Sequence, residues 1–319
     1  MAHQKNQTLN VEILIVGFEN LSDYRIPLFL LLLIIYTLTC IENHMVIFLV
    51  CISSRLHCPM YILIGNLLLC EFLYTTDLVP LILHHILSGR PTISHLGCSV
   101  QSSVSGSITI VETLLLTLMS YDRYLAICRP LRYSVLIHNR LCFYLVATSW
   151  FISLIFLVVV FYFVINLEFR GPVTIDHFYC DFTPYVSFAC SDITPVVLIG
   201  LSVSITLTIL PFLLIVLSYI FIIFTILRIQ TSEGRQKAFS TCSSHLLVVT
   251  IYYTALFCLY GVPRSDQYLN VYKGLSFTYF SVTPMINPII YTLRNQEIHI
   301  ALKAAMSKIK TVLLLRCNK

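Results

Sequence analysis

Two opposite charges stand side by side near the end of a long apolar stretch. They are Asp122 and Arg123, within MSYDRYLAIC at residues 119–128. A charge at bilayer depth is costly unless it is paired or reaches water, so ionisable residues at membrane helix ends are usually functional. A carboxylate can hold the neighbouring guanidinium in a charge-assisted pair. The pattern therefore indicates a functional pair at a helix end, with a static ion pair as the alternative.

Further polar side chains interrupt other apolar stretches: Asn43, Glu71, Glu112 and Asn287. Carboxyl groups crowded in a low dielectric cannot all ionise, so at least one should be protonated or share a cation. We predict that Glu71, Glu112 and Asn287 form a sodium or proton site, and a neutral hydrogen-bonded core is the alternative. No other metal site is predicted. Glu42 is rotated about 100° from Asn43 on a helix, so it should face elsewhere.

The composition indicates a membrane protein. Of the 319 residues, 57% are hydrophobic and 11% charged, and the mean hydropathy is +0.85, whereas soluble domains carry about 25% charged residues. The net charge of +5 is modest, and no basic tract indicates nucleic acid as a partner. We expect an all-α membrane protein, a seven-transmembrane helix bundle. Its predicted spans are residues 26–52, 59–86, 99–126, 141–165, 195–227, 238–261 and 273–293.

Two of these spans are unusually polar for membrane helices. Span 3 begins with several serines, which suggests that it faces protein or water rather than lipid. Span 7 contains Pro284 and Pro288. Each proline breaks a backbone hydrogen bond that a neighbouring helix or water must replace.

Seven spans place the two ends of the chain on opposite sides of the membrane. Fourteen of the 20 Lys and Arg residues fall on one side, which the positive-inside rule makes cytoplasmic. The N-terminus is then extracellular, in agreement with glycosylation sequons at Asn6 and Asn20. The first apolar run should act as an uncleaved signal-anchor. After span 7, residues 294–310 predict a short amphipathic helix on the inner leaflet. The expected segments are an extracellular tail at 1–25, a transmembrane domain at 26–293 and a cytoplasmic helix and tail at 294–319.

Several motifs together resemble one family. LHCPMY occupies residues 56–61, KAFSTCSSHL opens span 6 at 237–246, and PMINPIIY lies in span 7 at 284–291. Span 5 ends with Ser218 and Tyr219. With MSYDRYLAIC, these strings are similar to the motifs of vertebrate odorant receptors, within the rhodopsin-like G-protein-coupled receptors. The resemblance covers nearly the whole chain, and each motif stands at the expected end of its span.

The resemblance implies a plasma-membrane receptor without enzymatic activity or cofactor. A small-molecule odorant bound from outside would activate a stimulatory heterotrimeric G protein and raise cAMP. Arg123, released from Asp122, would turn toward Tyr219 in an opened cleft that accepts the G protein. The implied switch residues are Asp122, Arg123, Tyr124, Tyr219, Lys237, Asn287, Pro288 and Tyr291.

The ligand pocket should open among spans 3, 5, 6 and 7, under the long loop at residues 166–194. Aminergic relatives carry an Asp at the place of Ser105, so its absence removes the usual ammonium anchor. The implied ligand is small and largely apolar. Helical spacing selects the candidate lining: Ser105, Ile108, Thr109, Val203, Leu207, Tyr252, Ala255, Leu259, Phe277 and Phe280.

Three cysteines should face the oxidising side: Cys98, Cys180 and Cys190. The resemblance implies a disulfide from Cys98 to Cys180 that pins the long loop over the bundle. Odorant receptors usually have a further cysteine near the start of this loop, where this chain has Arg170. Cys190 is then a free thiol, or it competes with Cys180 for Cys98.

Other functions fit the sequence less well. A receptor of the same kind that recognises a metabolite outside the nose cannot be separated from an olfactory one. A transporter or channel is disfavoured because no inverted repeat is visible. An intramembrane enzyme is disfavoured because no HExxH motif appears and no Ser, His or Asp group has catalytic spacing.

Overall fold

The computed structural model describes residues 12–17, 24–88, 92–169, 171–261 and 268–317. Asn6, Asn20 and Arg170 lie outside these residues. Within the described part, eight long helices follow one another along the chain. They are α1 (Arg25–Ile52), α2 (Pro59–Ser88), α3 (His95–Cys128), α4 (Asn139–Ile165), α5 (Thr194–Leu227), α6 (Ser232–Gly261), α7 (Leu269–Phe277, Thr278–Val282 and Thr283–Arg294) and α8 (Gln296–Cys317).

The first seven helices form the predicted bundle. In the described residues, α1 to α6 are long and apolar enough to cross a membrane, although only the Cys242–Tyr260 part of α6 qualifies. The seventh helix is more polar, as expected from the sequence. The third helix is central, because it packs against α2, α4, α5 and α6, while α7 lies against α1 and α6. A chain with this fold exposes its apolar outer surface to lipid and keeps polar groups inside.

Some helices extend beyond the predicted spans. Helix α3 begins four residues early because Ser94 caps it, with its Oγ accepting the Gly97 N–H at 3.1 Å. Helix α6 begins at Ser232 and α7 at Leu269, in each case ahead of the apolar run. The added turn of α6 is polar, so a search for apolar runs does not find it.

A proline interrupts the backbone hydrogen bonding of the fifth helix. Pro211 follows the π-helical turn Ile205–Ile209, and it has no N–H for the Leu207 carbonyl four residues earlier. The Thr113 hydroxyl of α3 donates to that carbonyl at 2.9 Å. A side chain of the central helix therefore contacts the carbonyl that the proline leaves without a backbone donor, although the same hydroxyl also lies 2.8 Å from the Ile110 carbonyl of its own helix.

The seventh helix repeats this arrangement. The π-helical turn Thr278–Val282 precedes Pro284, and Pro288 leaves the Pro284 carbonyl without its backbone donor. Asn43 Nδ2 of α1 donates to this carbonyl at 3.4 Å. A neighbouring helix therefore supplies the donor that Pro288 cannot give to the Pro284 carbonyl, as we expected from the sequence.

A small sheet lies at one end of the bundle. Strand β1 (Glu12–Ile15) is central, antiparallel to β2 (Thr92–Ser94) and parallel to β3 (Val173–Ile175). Ile13 and Ile15 point into an apolar cluster beneath the sheet. The expectation of a purely helical fold omitted this sheet, because strands of three or four residues are too short to show an alternating pattern.

The loop after α4 is pinned at the same end. A disulfide joins Cys98 to Cys180, as the resemblance implied, with their Cα atoms 5.4 Å apart. The Cys180 N–H donates to Gln101 Oε1 at 3.0 Å. Cys190 is a free, exposed thiol, so of the two alternatives it does not compete for Cys98. We call this the disulfide end, and the opposite end of the bundle the Arg123 end.

The top of α7 holds the same loop. Lys273 forms a salt bridge with Asp176, and the Tyr272 hydroxyl donates to the Asp181 carboxylate. Both acidic residues belong to the loop and both partners belong to α7. The loop is therefore tied to α3 by a covalent bond and to α7 by polar ones.

Candidate functional site

Asp122 and Arg123 form a buried ion pair at the Arg123 end. Arg123 Nη2 lies 3.0 Å from Asp122 Oδ2, and the two side chains are 8% and 1% exposed. The Tyr133 hydroxyl, from the one-turn helix Tyr133–Leu136, donates to Asp122 Oδ1 at 2.7 Å. Burial, and then the nearby Asp122 carboxylate, raise the pKa of the Tyr133 phenol, so it remains a donor. Asp122 is thus held from two sides, and it holds the guanidinium in turn.

Sequence reasoning did not select Tyr133. It lies in the loop after α3, outside every quoted motif, and a tyrosine in a loop gives no signal of its contact with Asp122. Its spacing of 11 residues from Asp122 is meaningful only once the helix is known to end at Cys128.

A cavity of about 600 Å³ adjoins the ion pair. It lies between the ends of α2, α3, α6, α7 and α8, and most of the residues that line it are polar or charged. Three predicted switch residues, Arg123, Lys237 and Tyr291, contribute to the wall. The Tyr291 hydroxyl is buried and has no hydrogen-bond partner among the described residues. A buried hydroxyl without a partner is destabilising, so an arrangement of the helices that supplies a partner would be favoured here.

Among the described residues, no hydrogen bond joins Tyr219 to Arg123. Its hydroxyl lies 2.7 Å from His245 Nδ1 on α6, and the two rings stack 5.8 Å apart. His245 also lines the cavity, and its Nε2 has no partner within the described residues. His245 belongs to the KAFSTCSSHL motif, but from the sequence we assigned it no role of its own. The contact shows that Tyr219 ties α5 to α6.

Other predicted switch residues lie elsewhere. Tyr124 points toward α5, with its ring centre 6.1 Å from that of Phe221. Asn287 and Pro288 lie on α7 in the interior of the bundle and do not line the cavity. There Asn287 Nδ2 donates to Glu71 Oε1. The predicted set therefore divides between the cavity, the α3–α5 surface and the interior.

Glu71 is the centre of a polar cluster within the bundle. It is buried, as is Glu112 on α3, and the two carboxyl groups are near enough to interact electrostatically. Asn43 Oδ1 and Asn287 Oδ1 are buried without a hydrogen-bond partner among the described residues. Oxygen atoms of this kind suit a hard cation. Among all the described residues, no group of three or more His, Cys, Asp or Glu side chains could hold a metal ion. A cation at this cluster would therefore depend on the amide oxygens as well.

A tyrosine cluster joins three helices in the region of the predicted ligand pocket. The Tyr252 hydroxyl of α6 donates to the Thr109 carbonyl of α3 at 3.2 Å. Tyr279 of α7 has its hydroxyl 3.5 Å from Thr109 Oγ1 and its ring 5.9 Å from that of Tyr252. The predicted residues Thr109 and Tyr252 are thus brought together. Tyr279 was missed, because its neighbours Phe277 and Phe280 were chosen on spacing.

The long loop covers this cluster with aromatic rings. Phe280 is fully buried, with the rings of Phe178 and Tyr179 from the loop 6.4 and 5.9 Å away. Phe277 packs against Phe280 at 5.4 Å. Sequence reasoning did not select Phe178 and Tyr179. The loop has no helical periodicity from which the orientation of its side chains could be predicted.

The remaining candidates for the pocket are less closely joined. Ser105 donates its hydroxyl to the Gln101 carbonyl of its own helix at 2.8 Å. Ile108 lines a different cavity, between α2, α3 and α4. The others are apolar residues that are buried on α6 or half-buried on α5: Ala255, Leu259, Val203 and Leu207.

The seven-helix bundle, its pinned loop and the ion pair beside a cavity define a seven-transmembrane receptor. A family model described as olfactory receptor matches residues 32–309. Olfactory receptor 6N1 of Homo sapiens is 41% identical over 298 residues, covering 93% of this chain and 96% of its own. Olfactory receptor 5P68 of Mus musculus is 38% identical over 306 residues, covering 96% and 98%. The chain belongs to the olfactory receptor family, and so to a group of multi-pass membrane receptors rather than enzymes.

Proposed function

We propose that this protein is an odorant receptor that couples to a stimulatory heterotrimeric G protein and raises cAMP. A small, mostly apolar organic molecule binds at the disulfide end, among α3, α5, α6 and α7. The observation that carries the proposal is the buried Asp122–Arg123 pair beside a cavity of about 600 Å³. Family membership and the names of the relatives support the class of ligand.

The sixth helix connects the two ends of the receptor. Tyr252, near the proposed ligand, and His245, at the cavity, lie seven residues apart on α6, which is about two helical turns. A ligand that displaces Tyr252 from the Thr109 carbonyl shifts α6 as a rigid element. That movement breaks the contact between Tyr219 and His245. The ligand thereby selects a second arrangement of the helices.

In the second arrangement Tyr219 is available to Arg123, and the cavity widens to admit a segment of the G protein. The loop between α3 and α4 adds an apolar surface next to it. Leu131 is 96% exposed and Val135 is 77% exposed, on either side of Tyr133. Exposed apolar side chains of this kind favour contact with a partner protein. Tyr133 joins this surface to Asp122, so docking there can loosen the ion pair.

The Arg123 end faces the cytoplasm in this proposal, and the disulfide end faces outward at the plasma membrane. The excess of Lys and Arg supports this orientation. Residues 1–25 then form the extracellular tail, glycosylated at Asn6 and Asn20, and 26–293 the transmembrane domain. The segment 294–319, which includes α8, lies on lipid at the inner leaflet.

We further propose that Glu71 and Glu112 share a sodium ion with the amide oxygen of Asn287. An ion there ties α2, α3 and α7 together and stabilises the ligand-free arrangement. Replacing sodium by choline at constant ionic strength should therefore lower the EC50 of agonists, and Glu71→Gln should remove this dependence. Signalling that is insensitive to sodium in the unmodified receptor would contradict the proposal.

The proposed coupling is tested with Arg123→Ala in cells that report cAMP. After a chemically diverse odorant panel has identified an agonist, the variant should lose at least about nine-tenths of the response while retaining surface expression. Arg140→Ala is the matched control, since Arg140 is another arginine at the same end, 5.9 Å from the Tyr144 ring and away from the cavity. Normal cAMP production by Arg123→Ala would reject the role of the pair.

A further inference from the structure

A second cavity, of about 350 Å³, lies between α2, α3 and α4. Its walls are mainly apolar and include Leu73, Val104, Leu154 and Leu157. It is on a different side of α3 from the tyrosine cluster, and Ile108 is its only residue among those predicted for the odorant pocket. The volume is within the range of about 300–1,000 Å³ that is usual for small-molecule sites.

One acidic side chain, Asp77 of α2, contributes to this mainly apolar wall. Its Oδ2 is buried and has no hydrogen-bond partner among the described residues. An ionisable residue within a membrane helix is costly, and it usually marks a ligand or ion site. No Lys or Arg belongs to the lining. The carboxylate is therefore left without a cation from the described part of the protein.

Three polar neighbours of Asp77 in the wall, Ser107, Ser153 and Trp150, already have acceptors for their protons. Ser107 donates to the Ser103 carbonyl at 3.0 Å, and Ser153 donates to the Ser107 carbonyl at 2.7 Å. Trp150 donates from Nε1 to Asn66 Oδ1 at 3.3 Å. An occupant that carries its own donors can satisfy Asp77 without breaking any of these bonds.

The cavity opens through the outer surface of the bundle. Leu154 is 55% exposed, and it lies near the middle of α4, at the depth of the hydrocarbon. An occupant therefore enters from the lipid and must itself be apolar over most of its length. The cavity at the Arg123 end shares no lining residue with this one.

We propose that this cavity is a membrane-facing site for a lipophilic primary amine, separate from the odorant site. The ammonium group pairs with Asp77, and the alkyl chain lies along Leu73, Leu154 and Leu157. An ammonium supplies three donors and the opposite charge, which makes a charge-assisted bond. The Trp150 ring in the same wall adds a favourable surface for a cation. A carboxylic acid is excluded by repulsion, and an alcohol lacks the charge.

The test uses the full-length receptor in lipid nanodiscs and octylamine with a photoreactive diazirine at the end of its alkyl chain. After irradiation, mass spectrometry should find the label on peptides of α2 and α4. Unlabelled octylamine should compete at a concentration about tenfold or more below that of octanol. Asp77→Asn should weaken labelling by about the same factor.

Glu42→Gln is the matched control, because Glu42 is another carboxyl in a membrane helix with an unpartnered oxygen, but on α1 and outside the cavity. It should label as the unmodified receptor does. If Asp77→Asn does not fold, Leu154→Trp provides a second variant, which fills the cavity from its exposed rim and should reduce labelling. Equal competition by octanol, or unchanged labelling of Asp77→Asn, would overturn the proposal. Odorant-evoked cAMP is not a readout, so the result is independent of the proposed function.

Discussion

Tyr252 and Tyr253 are neighbours on α6, and both are buried, but their hydroxyl groups have different surroundings. The first donates to the Thr109 carbonyl across the interface with α3. The second has no hydrogen-bond partner among the described residues. The pair therefore offers a comparison in which the same atom is removed from adjacent positions on one helix.

Tyr252→Phe should raise basal cAMP and lower the EC50 of agonists. One interhelical hydrogen bond of about 1 kcal/mol is lost, which corresponds to a factor of about five. The bond holds α6 against α3 in the ligand-free receptor, so its removal makes the movement of α6 easier. Concentration–response curves in cells that report cAMP provide the measurement.

Tyr253→Phe serves as the control for that prediction, and its EC50 should stay within about twofold of the unmodified value. If the two variants behave alike for every agonist, Tyr252 has no part in the proposed coupling. Surface expression must be measured for both, because a lower receptor number also changes the apparent potency.

Individual residues were predictable where a motif or helical spacing selected them. Arg123, Lys237 and Tyr291 do line one cavity, and Thr109 and Tyr252 do meet. Tyr133, His245 and Tyr279 were not selected, because each acts through a partner on another element. A single sequence specifies which residues share a helix face, but it does not specify how neighbouring helices are rotated toward each other.

The fifth helix contains a proline whose lost hydrogen bond is met by a side chain of another helix. Pro211 deprives the Leu207 carbonyl of its backbone donor, and Thr113 replaces it. An unsatisfied carbonyl in a dry interior costs about 1–3 kcal/mol. The π-helical turn of α5 is therefore stabilised from α3.

Thr113→Val should lower the melting temperature of the purified receptor by a few degrees, because valine keeps the shape of threonine and removes only the donor. Thr117→Val is the control, since Thr117 donates to the Thr113 carbonyl of its own helix at 2.8 Å. The measurement is thermal unfolding in one detergent for both variants. Equal melting temperatures of the two variants would show that the contact with Leu207 contributes nothing.

The positions of the helices could be predicted, and their irregularities could be predicted only in part. Apolar runs marked six of the spans clearly and the more polar seventh weakly, because a bilayer requires about 20 such residues. Pro288 showed that a carbonyl would lose its donor, but nothing in the sequence identified Asn43 as the replacement. The short strands and the polar first turn of α6 were missed, since neither contains a run of apolar residues.

For the whole molecule, the orientation in the membrane stays a prediction that glycosylation can test. Asn6→Gln should remove part or all of the mobility shift that a glycosidase produces in the unmodified receptor. Glycans are added only on the lumenal side, so this result requires an external N-terminus. Asn20→Gln, made in parallel, separates the contributions of the two sequons. Glycosylation of an acceptor site added at the C-terminus would show that the orientation is the opposite of the one predicted.

The strand β1 lies between two partners that are synthesised at very different times. Ile13 pairs with Ile93 in β2 and with Val173 in β3, and Val173 follows it by 160 residues. During translation, the ribosome must therefore complete four membrane helices before the sheet can close. Until then the first strand has an open edge, which is a site where a chaperone can bind or where a newly made neighbour can pair incorrectly. Receptor yield in a foreign cell should thus depend on the folding assistance available to this short segment.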